Sequence, residues 1–326
     1  MLYSNNIKNI FLNNESGVFR GDCLELLPEI PDESIDLILS DIPYGIGVDD
    51  WDVLHSNTNS AYGGKSPAQE KSAAFKKRGK PINGWSDADK KIPKEYYDWC
   101  MTWTPQWMRV LKPGGSAFVF AGRRFAHRAA VALEDSGLNL RDIIGWQRDS
   151  ALHRAQRLSV VYERRGDLEN AKKWDGWRIG NLKPVFEPII WCFKPYKITI
   201  ADNVLEHDLG AYNHEKLRQM VGNLNNIFHI GQKKTDSGLH IAQKPENLMR
   251  VLIELVTVEN QIVLVPFAGS GTTGVVARDL NRRFLMCVHK KFSRGRLLSY
   301  FSKPSNANIA ACCFISSALW YPNLKV

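Results

Sequence analysis

Gln261-Ile-Val-Leu-Val265 runs without a break into Pro266-Phe267-Ala268-Gly269-Ser270-Gly271-Thr272-Thr273-Gly274. The apolar, largely β-branched run, bounded by a proline and a glycine cluster, predicts a short buried strand. The glycines let the chain turn sharply and bring its backbone close to a ligand. Amides at the start of a following helix would then point at the ligand's polar end. Strand, glycine turn and helix in that order form the repeating unit of an open α/β sheet. A phosphate-gripping loop is excluded, because no lysine follows the second glycine. The spacing Gly-x-Gly-x-x-Gly matches a dinucleotide fingerprint, but Val288-His289 stand where the acid of that fingerprint belongs. Taken alone, the loop reads equally well as a simple tight turn or as a cofactor site.

A second strand is written in Ser34-Ile-Asp-Leu-Ile-Leu-Ser-Asp41, which ends in Ile42-Pro43-Tyr44-Gly45. Open α/β sheets bind ligands beyond the carboxyl ends of their strands, so this loop is a candidate for chemistry. An Asp41 carboxylate and an Ile42 carbonyl can both accept hydrogen bonds from an aromatic amine. That would draw its nitrogen towards tetrahedral geometry and stabilise the charge that develops there. Tyr44 can stack on a base turned out of a duplex. The bland alternative is an Asx-type turn with a packed tyrosine.

Working outward, Asp49 to about Pro93 is polar and rich in Gly, Ser and Lys, too long for a plain connection. It is expected to be a lid or DNA-facing insert spanning about 49–93. Trp99, Trp103 and Trp107 fall four apart on one helical face, a spacing that more often marks core than ligand site. Pro105 should kink or restart that helix, and Leu111-Lys-Pro-Gly-Gly115 should stop it. Ser116 to Ala121, Asp142 to Gln147, Val185 to Phe193 and Arg283 to Val288 read as further strands. Pro188 argues that its strand lies at an edge or bulge. Residues 196–236 are polar and irregular, a candidate target-recognition region. Lys244-Pro245 starts a helix running through Val256.

With 326 residues, 44% of them hydrophobic, the chain suits one large α/β domain with small inserts. Six cysteines without regular spacing suggest neither a zinc site nor disulfides, and no metal is expected. The lack of a signal-like start or a spanning run predicts a soluble, cytoplasmic protein with no membrane partner. The net charge of +9 is no argument for nucleic acid, since eight basic and no acidic residues lie beyond Asn281. Locally basic clusters remain at Lys76 to Lys80, Arg123-Arg124 and Arg154 to Arg165. His153, Arg154 and Arg157 serve equally as phosphate contacts or as a solvated helix face.

The ordered motifs resemble the amino-methylating DNA methyltransferases of bacteria and phages. The likeness rests on Asp41-Ile42-Pro43-Tyr44 early and Pro266-Phe267-Ala268-Gly269-Ser270-Gly271-Thr272 late, the β-type order in which the catalytic half precedes the cofactor half. Gly21-Asp22-Cys23-Leu, Leu111-Lys-Pro-Gly-Gly and His240-Ile-Ala-Gln243-Lys244-Pro245 join them, over about Gly21 to Phe284. The resemblance implies a Rossmann-like fold with a mostly parallel seven-stranded sheet and S-adenosylmethionine as methyl donor. It also implies double-stranded DNA as substrate and raises a restriction endonuclease as partner. It places Asp41, Ile42, Pro43 and Tyr44 in catalysis. Asp22, Cys23, His240, Gln243, Lys244, Pro245 and residues Pro266 to Thr272 fall to the cofactor. Adenine N6 is the expected target, with cytosine N4 the rival, because the cytosine enzymes more often carry Ser at the position of Asp41.

Three departures from the family pattern carry consequences. Ile42 replaces a proline, a mild change, since the role belongs to a carbonyl that every residue has. Val265 stands where the family has an acid for the cofactor's ammonium group. Losing that bond is worth about 1.5–3 kcal/mol, or roughly tenfold or more in affinity. Val288-His289 replace a ribose-binding carboxylate, and residues 285–326 form an acid-free basic tail that reads as out of frame relative to an ancestral enzyme. A methyltransferase domain of residues 1–284 is therefore expected. A DNA-binding remnant with a broken cofactor pocket is the alternative of a different class.

Overall fold

In the computed structural model, which describes residues 11, 13–45, 87–151, 155–231 and 243–288, the strand-forming runs assemble side by side. They are β1 (Gly17–Arg20), β2 (Ile35–Asp41), β3 (Leu111–Phe120), β4 (Asn139–Gln147), β5 (Gln156–Arg157), β6 (Arg178–Ile179), β7 (Phe186–Phe193), β8 (Ile227–His229), β9 (Ile262–Ala268) and β10 (Arg283–Val288). Eight of them form one sheet in the order β1-β10-β9-β2-β3-β7-β4-β8. Only β7 runs antiparallel to its neighbours. β5 and β6 make a separate antiparallel pair.

The helices are α1 (Cys23–Leu26), α2 (Asp87–Cys100), α3 (Thr104–Val110), α4 (Ala126–Asp135), α5 (Leu158–Glu163), α6 (Leu168–Lys173), α7 (Ile200–His207), α8 (His214–Val221), α9 (Glu246–Val256) and α10 (Thr272–Asp279). Among the described residues, no helix is long and apolar enough to cross a membrane.

The period of two along each central strand sorts its side chains onto opposite faces. Ile38, Ala117, Val119 and Leu264 join Trp103, Trp107 and Phe125 in one apolar cluster. Leu37, Phe118, Val263 and Val265 join Leu252, Ile253 and Val276 in the other. The tryptophan stripe is core, as its spacing suggested, with Trp103 and Trp107 fully buried and their ring centroids 4.3 Å apart. Pro105 restarts the helix, standing in the first turn of α3.

The connections diverge at the middle of the sheet. From β9 the chain passes through α10 to β10 on one side, and from β2 it passes through α2 and α3 to β3 on the other. The carboxyl ends of β9 and β2 therefore flank the topological switch point, where open α/β sheets hold their ligands.

Several sequence expectations change. Among the described residues the sheet has eight strands rather than seven, because the described part of 196–236 is not irregular. It contains α7, α8 and β8, and β8 pairs parallel with β4. β7 is an interior strand rather than an edge. Pro188 is tolerated because it sits just beyond the β3 ladder, which ends at Ile189 opposite Phe120. The insert expected over 49–93 gives way to α2 at Asp87, and its earlier part falls within residues 46–86, outside the described residues. β10 carries the sheet to Val288, past the domain boundary expected at 284, and the rest of the tail also lies outside the described residues.

Asp36 ties the central strands together beneath the switch point. Its buried carboxylate accepts from Lys112 Nζ on β3 at 2.7 Å and from the Ile262 backbone N–H on β9 at 2.7 Å. Asp36→Ala orphans both donors, and urea denaturation is expected to show a loss of about 2–3 kcal/mol. A loss below about 0.5 kcal/mol, the lower end for an ordinary hydrogen bond, would show that the tie is idle.

Candidate active site

Asp41 is the last residue of β2, opposite Phe120 at the end of β3, and the Ile42 backbone N–H continues that pairing to the Phe120 carbonyl at 3.2 Å. The chain then turns away. Ile42 buries its side chain in the apolar cluster, which gives isoleucine a packing role where the family pattern has proline. The Pro43 carbonyl accepts from Tyr96 Oη at 2.8 Å. Gly45 takes a positive φ of 65° with the Tyr96 ring beside it, so a Cβ there would stand 2.8 Å from that ring. Tyr44 is admitted by Gly122 after β3, where a Cβ would stand 2.9 Å from Tyr44 Cβ.

A buried ionic cluster, which the motifs did not announce, lies behind this loop. Lys244 Nζ donates to Asp41 Oδ2 at 2.8 Å and to Tyr44 Oη at 3.0 Å, and it pairs with Glu187 Oε1 at 3.0 Å. Tyr44 Oη donates in turn to Glu187 Oε1. The ammonium also stands 5.3 Å from the Tyr44 ring centre and 5.1 Å from that of Phe120. Arg148 reaches Glu187 Oε2 from the other side at 3.8 Å. Lys244, expected among the cofactor residues, thus commits its charge to the catalytic loop instead. Glu187, absent from the expected site, enters because antiparallel β7 begins where β2 ends. Its only signal was an acid inside the apolar run Phe186-Glu-Pro-Ile-Ile190.

Burial raises the pKa of Asp41; the Lys244 charge opposes that rise and the neighbouring Glu187 adds to it. Burial would also raise Glu187, but Lys244, the Tyr44 hydroxyl and Arg148 together hold it below its ordinary value. Lys244 stays an ammonium because Asp41 and then Glu187 outweigh the cost of its burial. Burial and the two carboxylates keep Tyr44 a phenol. One oxygen of the cluster is left over: Asp41 Oδ1 is buried and has no hydrogen-bond partner among the described residues.

Across the switch point lies the glycine loop. The β9–β10 register gains one residue on β9 between Val265 and Ala268, a bulge that accommodates Pro266. The Phe267 ring turns back onto Trp99 and Trp103, with centroids 5.8 and 5.7 Å away, so its side chain packs against core. Gly269 follows, and Gly271 takes a positive φ of 84° as it opens α10. Ser270 and Thr272 share a buried hydroxyl contact at 2.7 Å. Two strands away, at about 10 Å given the ordinary strand spacing, Asp22 follows β1. Its carboxylate caps α1 by accepting from the Leu24 backbone N–H at 2.9 Å. Cys23 is buried in the apolar cluster, and burial pushes its thiol pKa up, so its side chain is core rather than ligand-facing. Gln243 and Pro245 are buried beside Lys244 at the start of α9. His240 lies outside the described residues.

A family model described as DNA methylase matches residues 35–292. The chain belongs to the DNA methylase family. It is 54% identical to the type II methyltransferase M.HindIII of Haemophilus influenzae strain Rd over 82% of this chain and 89% of that protein. It is 28% identical to the type II methyltransferase M2.LlaDCHI of Lactococcus lactis subsp. cremoris, over 81% of each. Among solved structures, the cytosine-N4-specific PvuII DNA methyltransferase shares the fold with a TM-score of 0.56 at 18% identity, covering 90% of this chain and 87% of that one. A putative DNA modification methylase of Thermus thermophilus, solved with S-adenosyl-L-methionine, aligns with a TM-score of 0.51 at 18% identity, over 87% and 92% of the two chains.

Within this DNA methylase, removing the central cation leaves two buried carboxylates facing each other. Lys244→Met is expected to cost about 3–5 kcal/mol of unfolding free energy at neutral pH. Because burial already raises the Asp41 pKa, one proton should bridge the pair as the pH falls, and the deficit relative to wild type should shrink. Denaturant titrations from neutral pH down to about pH 5, within the reach of a raised carboxyl pKa, check this, and a deficit that stays constant would contradict it.

Proposed function

We propose that the protein is a site-specific type II DNA methyltransferase that methylates adenine N6 in double-stranded DNA from S-adenosylmethionine. The observation that carries the reading is Asp41 Oδ1, buried at the switch point with no hydrogen-bond partner among the described residues. Family membership and the 54% identity to a type II methyltransferase support the reaction class. The carboxylate at position 41 supports adenine over cytosine.

The residues present fit the cofactor in part. Gly269 and Gly271 bring backbone to the carboxyl end of β9, the first amides of α10 would meet a polar group there, and Asp22 follows β1, two strands away in the sheet. By the family resemblance, His240 and the Gln243-Lys244-Pro245 turn flank the methionine end. When bound, S-adenosylmethionine supplies an electrophilic methyl on sulfur, which the amine takes as the carbon–sulfur bond breaks and the thioether leaves.

Asp41 Oδ1 accepts one N–H of the extruded base, and the Ile42 carbonyl accepts the other. Together they turn the nitrogen lone pair out of the ring's π system and stabilise the positive charge as it grows. Lys244 occupies Oδ2, so the carboxylate presents a single oxygen in a fixed direction. Tyr44, anchored through its hydroxyl to Glu187 and Lys244, offers its ring to the base. The proton released from nitrogen passes to solvent.

Val265 favours a second reading. Its side chain lies in the apolar cluster, 4% exposed, as does that of Val288, so neither position supplies the acid that the family pattern gives the cofactor. A weakened enzyme, or a DNA-binding remnant, fits that observation.

Incubation with unmethylated DNA and methyl-labelled cofactor, followed by digestion to nucleosides, tests the reaction and the base together. Label is expected in N6-methyl-2′-deoxyadenosine; label in N4-methyl-2′-deoxycytidine would refute the choice of base, and none in either would favour the remnant. Asp41→Ala is expected to lower kcat by roughly 10²–10³-fold with little change in cofactor affinity. Since Asp41 must be ionised to accept the N–H, the acid limb of kcat should lie above the ordinary carboxylate range. Glu187→Gln, which removes a like charge, should move that limb to lower pH. Val265→Asp should tighten cofactor binding by roughly tenfold in calorimetry while lowering the melting temperature of the cofactor-free protein.

A further inference from the structure

We infer that the excursion between β4 and β7, residues 155–183, is the surface on which duplex DNA docks, with Arg157, Arg164, Arg165 and Arg178 on phosphates and Trp177 as its apolar contact. The inference rests on the methyltransferase reading and places duplex docking on a different segment from 196–236.

Both roots of the excursion stand at the catalytic edge. β4 runs parallel to β8 and antiparallel to β7, as β3 does, so it ends at the same edge as β2, and β7 starts there. The neck is held by the Arg148 backbone N–H to the Val185 carbonyl at 2.8 Å and by Arg148 Nη2 to the Pro184 carbonyl at 3.1 Å. That same arginine lies 3.8 Å from Glu187, which touches Tyr44 and Lys244. The module therefore springs from the wall of the catalytic pocket.

Its surface has the composition that duplex binding needs. Residues 155–183 hold seven basic and four acidic residues, net +3, and Arg157, Arg164, Arg165, Arg178 and Lys183 are all exposed. Clustered cations neutralise phosphates and release counterions. The module also leaves large apolar groups outside, with Trp177 61%, Leu168 72% and Leu182 85% exposed. Trp177 stands edge-on to Trp174, with ring centres 5.4 Å apart, so it is braced rather than loose. A fixed exposed aromatic among arginines suits a duplex opened at an extruded base.

The segment 196–236 also exposes apolar groups, Leu205 85% and Tyr212 51%, but it lacks the cationic excess. It holds five basic and five acidic residues, net zero. Lys216 is paired with Glu254 at 3.1 Å, and Arg218 with Glu215 at 3.8 Å. Asn203 Nδ2 donates to the Pro113 carbonyl at the start of β3, and Gln261 Nε2 just before β9 donates to the Asp208 carbonyl. These contacts sit at the strands' amino ends, the edge opposite Asp41, where α7 and the turn after it buttress the sheet.

Three proteins decide the matter: wild type, the quadruple variant Arg157→Ala, Arg164→Ala, Arg165→Ala, Arg178→Ala, and the control pair Lys216→Ala, Arg218→Ala. Fluorescence anisotropy on a labelled duplex at several salt concentrations gives affinity and salt slope, and calorimetry gives cofactor binding. The quadruple variant is expected to bind duplex at least roughly tenfold more weakly, with a salt slope shallower by about one per lost contact, and to bind cofactor as wild type does. The same four positions as lysine should keep most of the affinity, which separates charge from folding. Trp177→Ala should weaken binding with the salt slope unchanged. Wild-type affinity in the quadruple variant, or a loss confined to the Lys216/Arg218 pair, overturns the assignment. A wild type that binds cofactor but no duplex overturns the functional reading itself, and this inference with it.

Discussion

One ammonium group, Lys244 Nζ, holds the catalytic loop to the rest of the molecule. It joins Asp41 and Tyr44, about two hundred residues earlier in the chain, to Glu187 on a third segment. Its position is set from behind. Lys244 stands just before α9, whose Leu248, Met249, Leu252 and Ile253 are buried against the sheet, so the helix face that makes core also fixes where the charge lies. Taking three charged groups out of water costs several kcal/mol each, and apolar replacements of similar volume are often as stable. The arrangement is therefore a weak device for stability and makes sense as a chemical one. It leaves a carboxylate in a buried place with one oxygen engaged by Lys244 and one without a partner among the described residues.

The parts of the site that announced themselves were those with both a period and a punctuation mark. β2 and β9 were legible because unbroken apolar runs end in a proline–glycine or glycine turn, and two such ends on neighbouring parallel strands define a crevice. Glu187 was not legible, because an acid inside a strand makes sense only once the neighbouring strands are known, and β7 pairs with β3 and β4, from which it is separated by dozens of residues. Pro188 pointed the wrong way for the same reason: whether a missing N–H matters depends on where the ladder ends. Lys244 carried a motif but not a role, since its partners come from segments far away in the chain. The helices α7 and α8 were masked by polar composition, although Thr199 and Asn213 cap them in the ordinary manner, each accepting from the backbone three residues on.

The two edges of the sheet divide the labour. At the amino ends of the strands, the Asp36 carboxylate and the Asn203 and Gln261 amides bond to backbone groups of neighbouring segments. Such contacts fix strand register and hold the connections in place. At the carboxyl ends, Asp41 holds one oxygen without a partner among the described residues, Gly271 opens a helix, and the basic excursion rises from Arg148. Function collects where backbone pairing stops, with α7 and the turn after it behind and the cationic excursion in front.

Val265 shows how fold signal and functional signal can compete at one residue. The alternation of β9 directs position 265 to the face covered by α9 and α10, where valine is 4% exposed among Val263, Val276 and Met286. An acid there would interrupt the apolar run, weaken the strand pattern and demand a partner for its charge. With valine the run Ile262 to Val265 is continuous, which is why the strand stands out so clearly in the sequence. The substitution thus strengthens the core by the burial of a branched side chain, worth about 1.5–3 kcal/mol relative to exposure, and withdraws an acceptor worth a similar amount to a bound ammonium. In free protein the exchange favours folding; in the presence of cofactor it sets affinity against stability at the strand that defines the site.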